Sequence, residues 1–140
     1  MNRIKPIALA TLLAALTFPT APSALAGAPE KTSTGLIYES LRDGTGAQPT
    51  GPKSVVQVHY RGTLADGKEF DSSYKRGQPA AFPLNQVIPC WTEGVSKMRE
   101  GGKARLICPP DTAYGPRGAG SAVPPNATIT FEVELLKVAH

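Results

Sequence analysis

The only tryptophan of the chain, Trp91, follows directly on the apolar run Val87-Ile88-Pro89-Cys90 and opens a short amphipathic stretch. A large flat ring fixed by such neighbours offers a surface to an apolar guest. Downstream, Tyr114-Gly115 leads through a Gly-rich loop to Val123-Pro124-Pro125-Asn126, and then into an alternating run that carries Phe131. A loop stiffened by proline and feeding an aromatic-bearing strand points to a preformed apolar cleft. The remaining reactive side chains assemble neither a redox pair nor a metal cage. Cys90 and Cys108 are 18 residues apart, which is not a C-x-x-C spacing, and too few His and Cys stand at ligand spacing for zinc. No metal and no cofactor are expected. His59 alternates outward between Val58 and Tyr60, and His140 is terminal, so a catalytic histidine is not expected. Asp71 follows a strand aromatic, where a carboxylate also serves simply to cap the next turn.

The elements that must position these residues are legible as alternation and punctuation. Residues 54–64 predict a strand with Val56, Val58 and Tyr60 on one face and Gln57, His59 and Arg61 on the other. Asp66-Gly67 predicts a two-residue hairpin turn, with 68–73 as the return strand. Residues 76–79 read as loop, and Phe82-Pro83-Leu84 as a short apolar step. Thr92 is the expected N-cap of a helix that presents Trp91, Val95 and Met98 on one face and stops at Gly101-Gly102. Residues 103–108 predict a strand stopped by Pro109-Pro110, and 126–138 predict the last strand. Leu36 to Leu41 begins the ordered part, and Gly27 to Ser33 reads as a loose arm. The fold class is α+β: a twisted antiparallel sheet whose apolar face is covered by one short helix.

The N-terminus has the pattern of an export signal. Arg3 and Lys5 precede the run Ile7 to Phe18, which is apolar apart from two threonines, and Ala24-Leu25-Ala26 has the small-x-small form a signal peptidase needs. Cleavage is expected after Ala26, with a cut after Ala28 also matching. The run is shorter than the roughly 20 residues a membrane span requires, so no stable anchor is expected. The domains are then 1–26 signal, 27–35 arm and 36–140 the folded domain, in the periplasm or secreted. Losing Arg3 and Lys5 removes two charges from the formal +4, and the other cations are scattered. A nucleic-acid partner is therefore not expected. An even cysteine count in an exported chain favours a disulfide, although two buried thiols acting as apolar filler also fit.

Five segments in order carry a family resemblance: Val58-His59-Tyr60-Arg61-Gly62; Phe70-Asp71-Ser72-Ser73; Val87-Ile88 followed by Trp91-Thr92-Glu93-Gly94; Ala113-Tyr114-Gly115; and Pro124-Pro125-Asn126-Ala127-Thr128 with Phe131-Glu132-Val133-Glu134-Leu135. Together they resemble the FKBP-type peptidyl-prolyl cis–trans isomerases, over roughly Leu36 to Val138, and the leader makes the chain similar to the exported bacterial members. The resemblance implies a sheet wrapped around the helix with the site between them. Carried to this sequence, it implies Trp91 as the floor, with Tyr60, Phe70, Val87, Phe131 and Phe82 as walls. It implies the Ile88 N–H and the Tyr114 hydroxyl as donors to substrate carbonyls, and Asp71 as an electrostatic group held by Tyr60 or Arg76. Arg76, Phe82 and Val123 match more loosely. Of the aromatics beyond Phe18, six occupy these positions and only Tyr38 and Tyr74 do not. Taken singly, each apolar residue reads as core; only the joint pattern makes a pocket.

The chain departs from the family pattern at Ala80, Cys90, Cys108, Ala119 and Ala122. The two cysteine departures occur together, which implies a Cys90–Cys108 bond. The implied partners are proline-containing unfolded or folding polypeptides, and macrolides of the rapamycin and tacrolimus type. Exported members that dimerise do so through an added N-terminal helical segment. Gly27 to Gly35 is too short for one, so a monomer is expected. The small residues at Ala80, Ala119 and Ala122 motivate an alternative, a binding module of the same fold without turnover. A thiol–disulfide enzyme is a weaker third option.

Overall fold

The two longest alternating runs make the centre of the sheet. The computed structural model describes residues 27–139; the expected leader (1–26), its cleavage after Ala26 and His140 lie outside the described residues. Strand β3 (Val55–Leu64) and strand β7 (Ile129–Ala139) pair antiparallel from Val55↔Ala139 to Leu64↔Ile129, with a bulge between Gln57 and Val58. Val56, Val58 and Tyr60 of β3 and Ile129, Phe131, Val133 and Leu135 of β7 are buried, as period-two alternation dictates. β6 (Lys103–Cys108) flanks β7, followed by β2 (Ile37–Arg42) and β1 (Glu30–Lys31). The last of these corrects the loose arm: Glu30 and Lys31 pair with Tyr38 and Ile37.

On its other side β3 has two partners in succession. β4 (Glu69–Ser72) pairs with its C-terminal half, and β5 (Ala80–Pro83) with its N-terminal half. Residues 80–83, expected only as an apolar step, are thus a strand. Between them the chain makes a one-turn helix α1 (Ser73–Arg76), in a stretch partly expected as strand and partly as loop. Its ends are capped by side chain and backbone: Ser72 Oγ accepts from Lys75 N, and Gly77 N donates to Tyr74 O. The β3–β4 connection has three residues rather than two, since Leu64 N donates to Lys68 O and Gly67 N to Leu64 O. The Asp66 carboxylate accepts from Lys68 N and stabilises that turn.

Helix α2 (Pro89–Ser96) covers the concave face of the sheet. Proline at its first position pre-sets φ, so the helix begins one turn earlier than expected and Ile88 is its N-cap. Thr92 is not the cap; its hydroxyl donates to Leu84 O at 2.6 Å. The helix also ends earlier than Gly101-Gly102. Ser96 Oγ bonds back to Thr92 O, and the glycine pair is claimed by β7 through Gly101 N→Leu135 O and Leu135 N→Gly102 O. Met98, past the helix end, is still buried with Trp91 and Val95.

Eight residues are too few for a helix to persist alone in water, so α2 depends on what it touches. A Cβ at Gly94 would lie 2.7 Å from Leu106 Cδ2, so glycine allows the helix to approach β6 closely. Cys90 is bonded to Cys108 of β6, with Cα atoms 5.8 Å apart, and no described cysteine is free. A bond closing a loop of this length contributes about 3 kcal/mol. No helix among the described residues is long and apolar enough to cross a membrane.

Candidate functional site

The N-terminus of α2 delivers Trp91 to the middle of the concave face, where it is only 5% exposed. Three rings meet the indole nearly at right angles: Tyr60 at 5.1 Å, Phe131 at 5.3 Å and Phe82 at 5.6 Å between centroids. Edge-to-face packing sets the electropositive rim of one ring on the electron-rich face of another. The indole Nε1 is buried and has no nitrogen or oxygen partner among the described residues. Phe70 stands behind Phe131 at 5.8 Å and against Tyr114 at 6.5 Å. Glycine at position 62 makes this possible, because a Cβ there would lie 2.7 Å from the Phe70 ring and 2.9 Å from Phe131.

These rings enclose an open cavity of about 320 Å³, lined by Trp91, Tyr60, Phe82, Phe131, Val87 and Ile88, with Asp71, Tyr114 and Gln86 at its polar parts. Pairing registers bring the polar groups together. Asp71 lies opposite Gly62 on β4, two residues along β3 from Tyr60, and α1 turns Arg76 back over both. The Tyr60 hydroxyl donates to Asp71 Oδ2 (2.6 Å), Arg76 Nη1 donates to Asp71 Oδ1 (2.6 Å), and Arg76 Nη2 donates to the Tyr60 oxygen (2.8 Å). The guanidinium also lies over the Tyr60 ring, 5.5 Å from its centroid.

The carboxylate is therefore fixed by two donors. Burial alone pushes the Asp71 carboxyl up, but the Tyr60 and Arg76 hydrogen bonds, with the Arg76 charge, hold it below the usual carboxylate range. Burial raises the Tyr60 and Tyr114 hydroxyls; the hydrogen bond to Asp71 adds to this at Tyr60 and the Asp71 charge does so at Tyr114. At neutral pH the rim thus carries one fixed negative charge and a protonated Tyr114.

Two donors at the rim have no partner among the described residues. One is the Tyr114 hydroxyl. The other is the Ile88 N–H, which at the N-cap has no place in the helical ladder. A buried or half-buried donor left unpaired costs free energy, which a guest carbonyl would recover.

The expected site residues divide on inspection. Tyr60, Asp71, Phe82, Val87, Ile88, Trp91, Tyr114 and Phe131 line the cavity; Phe70, Arg76 and Val123 do not. Phe70 and Arg76 support the residues that do. Val123 is buried at 1% exposure, and its backbone bonds Ala119 in both directions, closing the Gly-rich loop. Gln86, which the sequence reading omitted, belongs to the lining. Its place immediately before Val87-Ile88 was the available signal. His59 is away from the cavity; its Nδ1 lies 2.9 Å from Ser73 Oγ and its ring stacks on Tyr74 at 4.6 Å.

The family model for FKBP-type peptidyl-prolyl cis-trans isomerases matches residues 46–136. The FKBP-type peptidyl-prolyl cis-trans isomerase FkpA of Escherichia coli (strain K12) is 51% identical over 107 residues, covering 76% of this chain and 39% of its own. FkpA of Aeromonas hydrophila is 53% identical over 109 residues, covering 78% of this chain and 40% of its own. The chain thus spans about two-fifths of the length of these curated relatives. A crystal structure of a peptidyl-prolyl cis-trans isomerase from Pseudomonas syringae pv. tomato is similar with a TM-score of 0.74 at 39% identity, covering 80% of this chain and 81% of that one.

Proposed function

The chain belongs to the FKBP-type peptidyl-prolyl cis–trans isomerase family, and from that premise we propose that residues 36–140 form an active isomerase of X–Pro bonds in exported polypeptides. The observation that carries this is the aromatic cavity floored by Trp91, with an ionised Asp71 and two unpartnered donors at its rim. The X–Pro bond resists rotation by about 18–20 kcal/mol, because conjugation gives C–N partial double-bond character. No covalent bond breaks during rotation, and the lining presents no activated nucleophile. The site must instead bind the twisted amide more tightly than either planar form. Each 1.4 kcal/mol of that preference is worth about tenfold in rate.

The roles follow from position. The prolyl ring lies on the Trp91 indole between Tyr60, Phe82, Val87 and Phe131. The Ile88 N–H and the Tyr114 hydroxyl take up substrate carbonyls and hold the chain on either side of the bond that turns. In the twisted amide the nitrogen no longer feeds electron density to the carbonyl. The amide is then less polar across C–N and suits a dry cavity better than water does, while its electron-poor carbonyl carbon is favoured by the Asp71 carboxylate. Arg76 keeps that carboxylate ionised and aimed. The same cavity accommodates macrolides of the rapamycin and tacrolimus type. The leader in residues 1–26 supports export to the periplasm or beyond, and the working form is a monomer.

The test is cis–trans exchange of a Leu-Pro tetrapeptide with the purified protein, beside Tyr114→Phe and Asp71→Leu variants. Acceleration that both variants weaken, and that a macrolide blocks, is the expected result. A folded protein that does not accelerate exchange over buffer overturns the isomerase reading and leaves a binding module of the same fold.

A further inference from the structure

We propose that the polypeptide flanking the bound proline leaves the aromatic cavity over Val87 and continues into a second groove along the outer side of α2, which selects the residues next to the X–Pro bond. This rests on the isomerase reading above. The groove has a volume of about 680 Å³ and is more open than the cavity. Pro52, Asn85, Pro89, Glu93 and Lys97 line it together with Val87, and Val87 is also a wall of the aromatic cavity. One half-buried side chain therefore borders both spaces. The unpartnered Ile88 N–H follows it directly in the chain.

Both walls of the groove are tied to the helix between them. Gln48 Nε2 donates to Ser96 O at 3.0 Å, which holds the loop bearing Pro52. Thr92 Oγ1 donates to Leu84 O at 2.6 Å, which holds the turn Leu84–Gln86 bearing Asn85. Such a groove is preformed, so a guest does not have to open or order it.

Its chemistry suits an extended segment with small or apolar side chains rather than a charged one. Pro52, Val87 and Pro89 provide rigid apolar steps. The exposed Asn85 amide has no hydrogen-bond partner among the described residues and offers both donor and acceptor to a backbone. The charged groups are already engaged: Glu93 Oε2 accepts from Thr34 Oγ1 at 2.6 Å, and Lys97 Nζ lies 3.9 Å from Glu30.

The experiment compares the Leu-Pro tetrapeptide with peptides that extend it by a short apolar run on its N-terminal or its C-terminal side. Wild-type protein is expected to show a KM about tenfold lower for one of the extended peptides, a difference of about 1.4 kcal/mol. Asn85→Trp and Glu93→Trp fill the groove from different elements. Each is expected to remove that advantage while leaving tetrapeptide kcat/KM unchanged. Amide resonances of Glu93, Ser96 and Lys97 are expected to shift with the extended peptide and not with the tetrapeptide. Equal KM values for all peptides, an advantage that survives both substitutions, or shifts confined to the aromatic cavity would each overturn the proposal. So would concentration-dependent shifts of the same three resonances without peptide, which would place a second copy of the chain in the groove. If the wild type turns over no tetrapeptide, the isomerase reading fails instead. The resonance measurement, which needs only binding, then still decides the groove.

Discussion

Among the described residues, two cavities of about 320 Å³ have opposite linings. One is the aromatic cavity between α2 and the sheet. The other lies between β2 and the end of α2, among Tyr38, Arg42, Asp43, Lys97 and Arg99. In the second, each charge is already answered. Ser40 Oγ donates to Asp43, Arg42 Nε donates to Gly101 O at 2.9 Å with Glu134 at 3.6 Å, Arg99 reaches Gly46 O at 3.4 Å, and Lys97 lies 3.9 Å from Glu30. Its hydrogen bonds join β2, the loop before β3 and the turn after α2. In the aromatic cavity the charge is also answered. Each cavity has one hydroxyl without a partner among the described residues, Tyr38 in the polar one and Tyr114 in the aromatic one, but only the aromatic cavity adds the open Ile88 N–H and walls that are rings. Equal volume does not make equal sites. Directional groups left open inside an apolar lining are what distinguish a receptor from a seam in the fold.

The sharpest break of this comparison is Trp91→Ala. Removing the floor leaves a void under three rings and is expected to cost about 3–5 kcal/mol of stability, measured by urea unfolding, with exchange activity lost. Next comes the Cys90→Ala/Cys108→Ala pair. With α2 freed from β6, the protein is expected to lose about 3 kcal/mol of stability, and native hydrogen exchange should rise first at positions 90–95 if the bond holds that turn.

Acid titration isolates the rim. A group whose folded pKa lies below its unfolded value contributes stability that is present above the unfolded pKa and lost as pH falls through the folded one. For Asp71, activity is expected to hold from neutrality through the ordinary carboxylate range, near pH 3.9, and to fall only beneath it. Asp71→Asn is expected to remove that acid limb; NMR exchange rates across the range would show it. The smallest effect belongs to the polar cavity. Arg99→Ala is expected to change stability by about 0.5 kcal/mol or less and isomerisation not at all. A loss of activity there would erase the distinction between the two cavities.

Much of the sheet was legible in the chain because its signals are local. Alternation through residues 54–64 and 126–138, Asp66-Gly67 and Pro109-Pro110 each act within a few residues. What was misread depended on competition. Thr92 is a good N-cap type, but Pro89 starts the helix first. Gly101-Gly102 is a good stop, but β7 takes its backbone groups. Residues 80–83 become a strand only because the N-terminal half of β3 is left open beyond β4.

The site divides in the same way. Residue types alone determined a small set of aromatics with one tryptophan and two cysteines outside C-x-x-C spacing; that six of the aromatics gather at one pocket and that the cysteines pair were implied only by the ordered motifs of the family resemblance. The tertiary structure decided which of those aromatics face a cavity and which support it from behind. It admitted Gln86, set Phe70, Arg76 and Val123 out of the lining, and left the Ile88 N–H and the Tyr114 hydroxyl open. The physical reason is that burial preference and turn chemistry are properties of a residue and its neighbours. A cavity is a property of registers between strands far apart in the chain, and of where a short helix and a sheet do not fill the space between them.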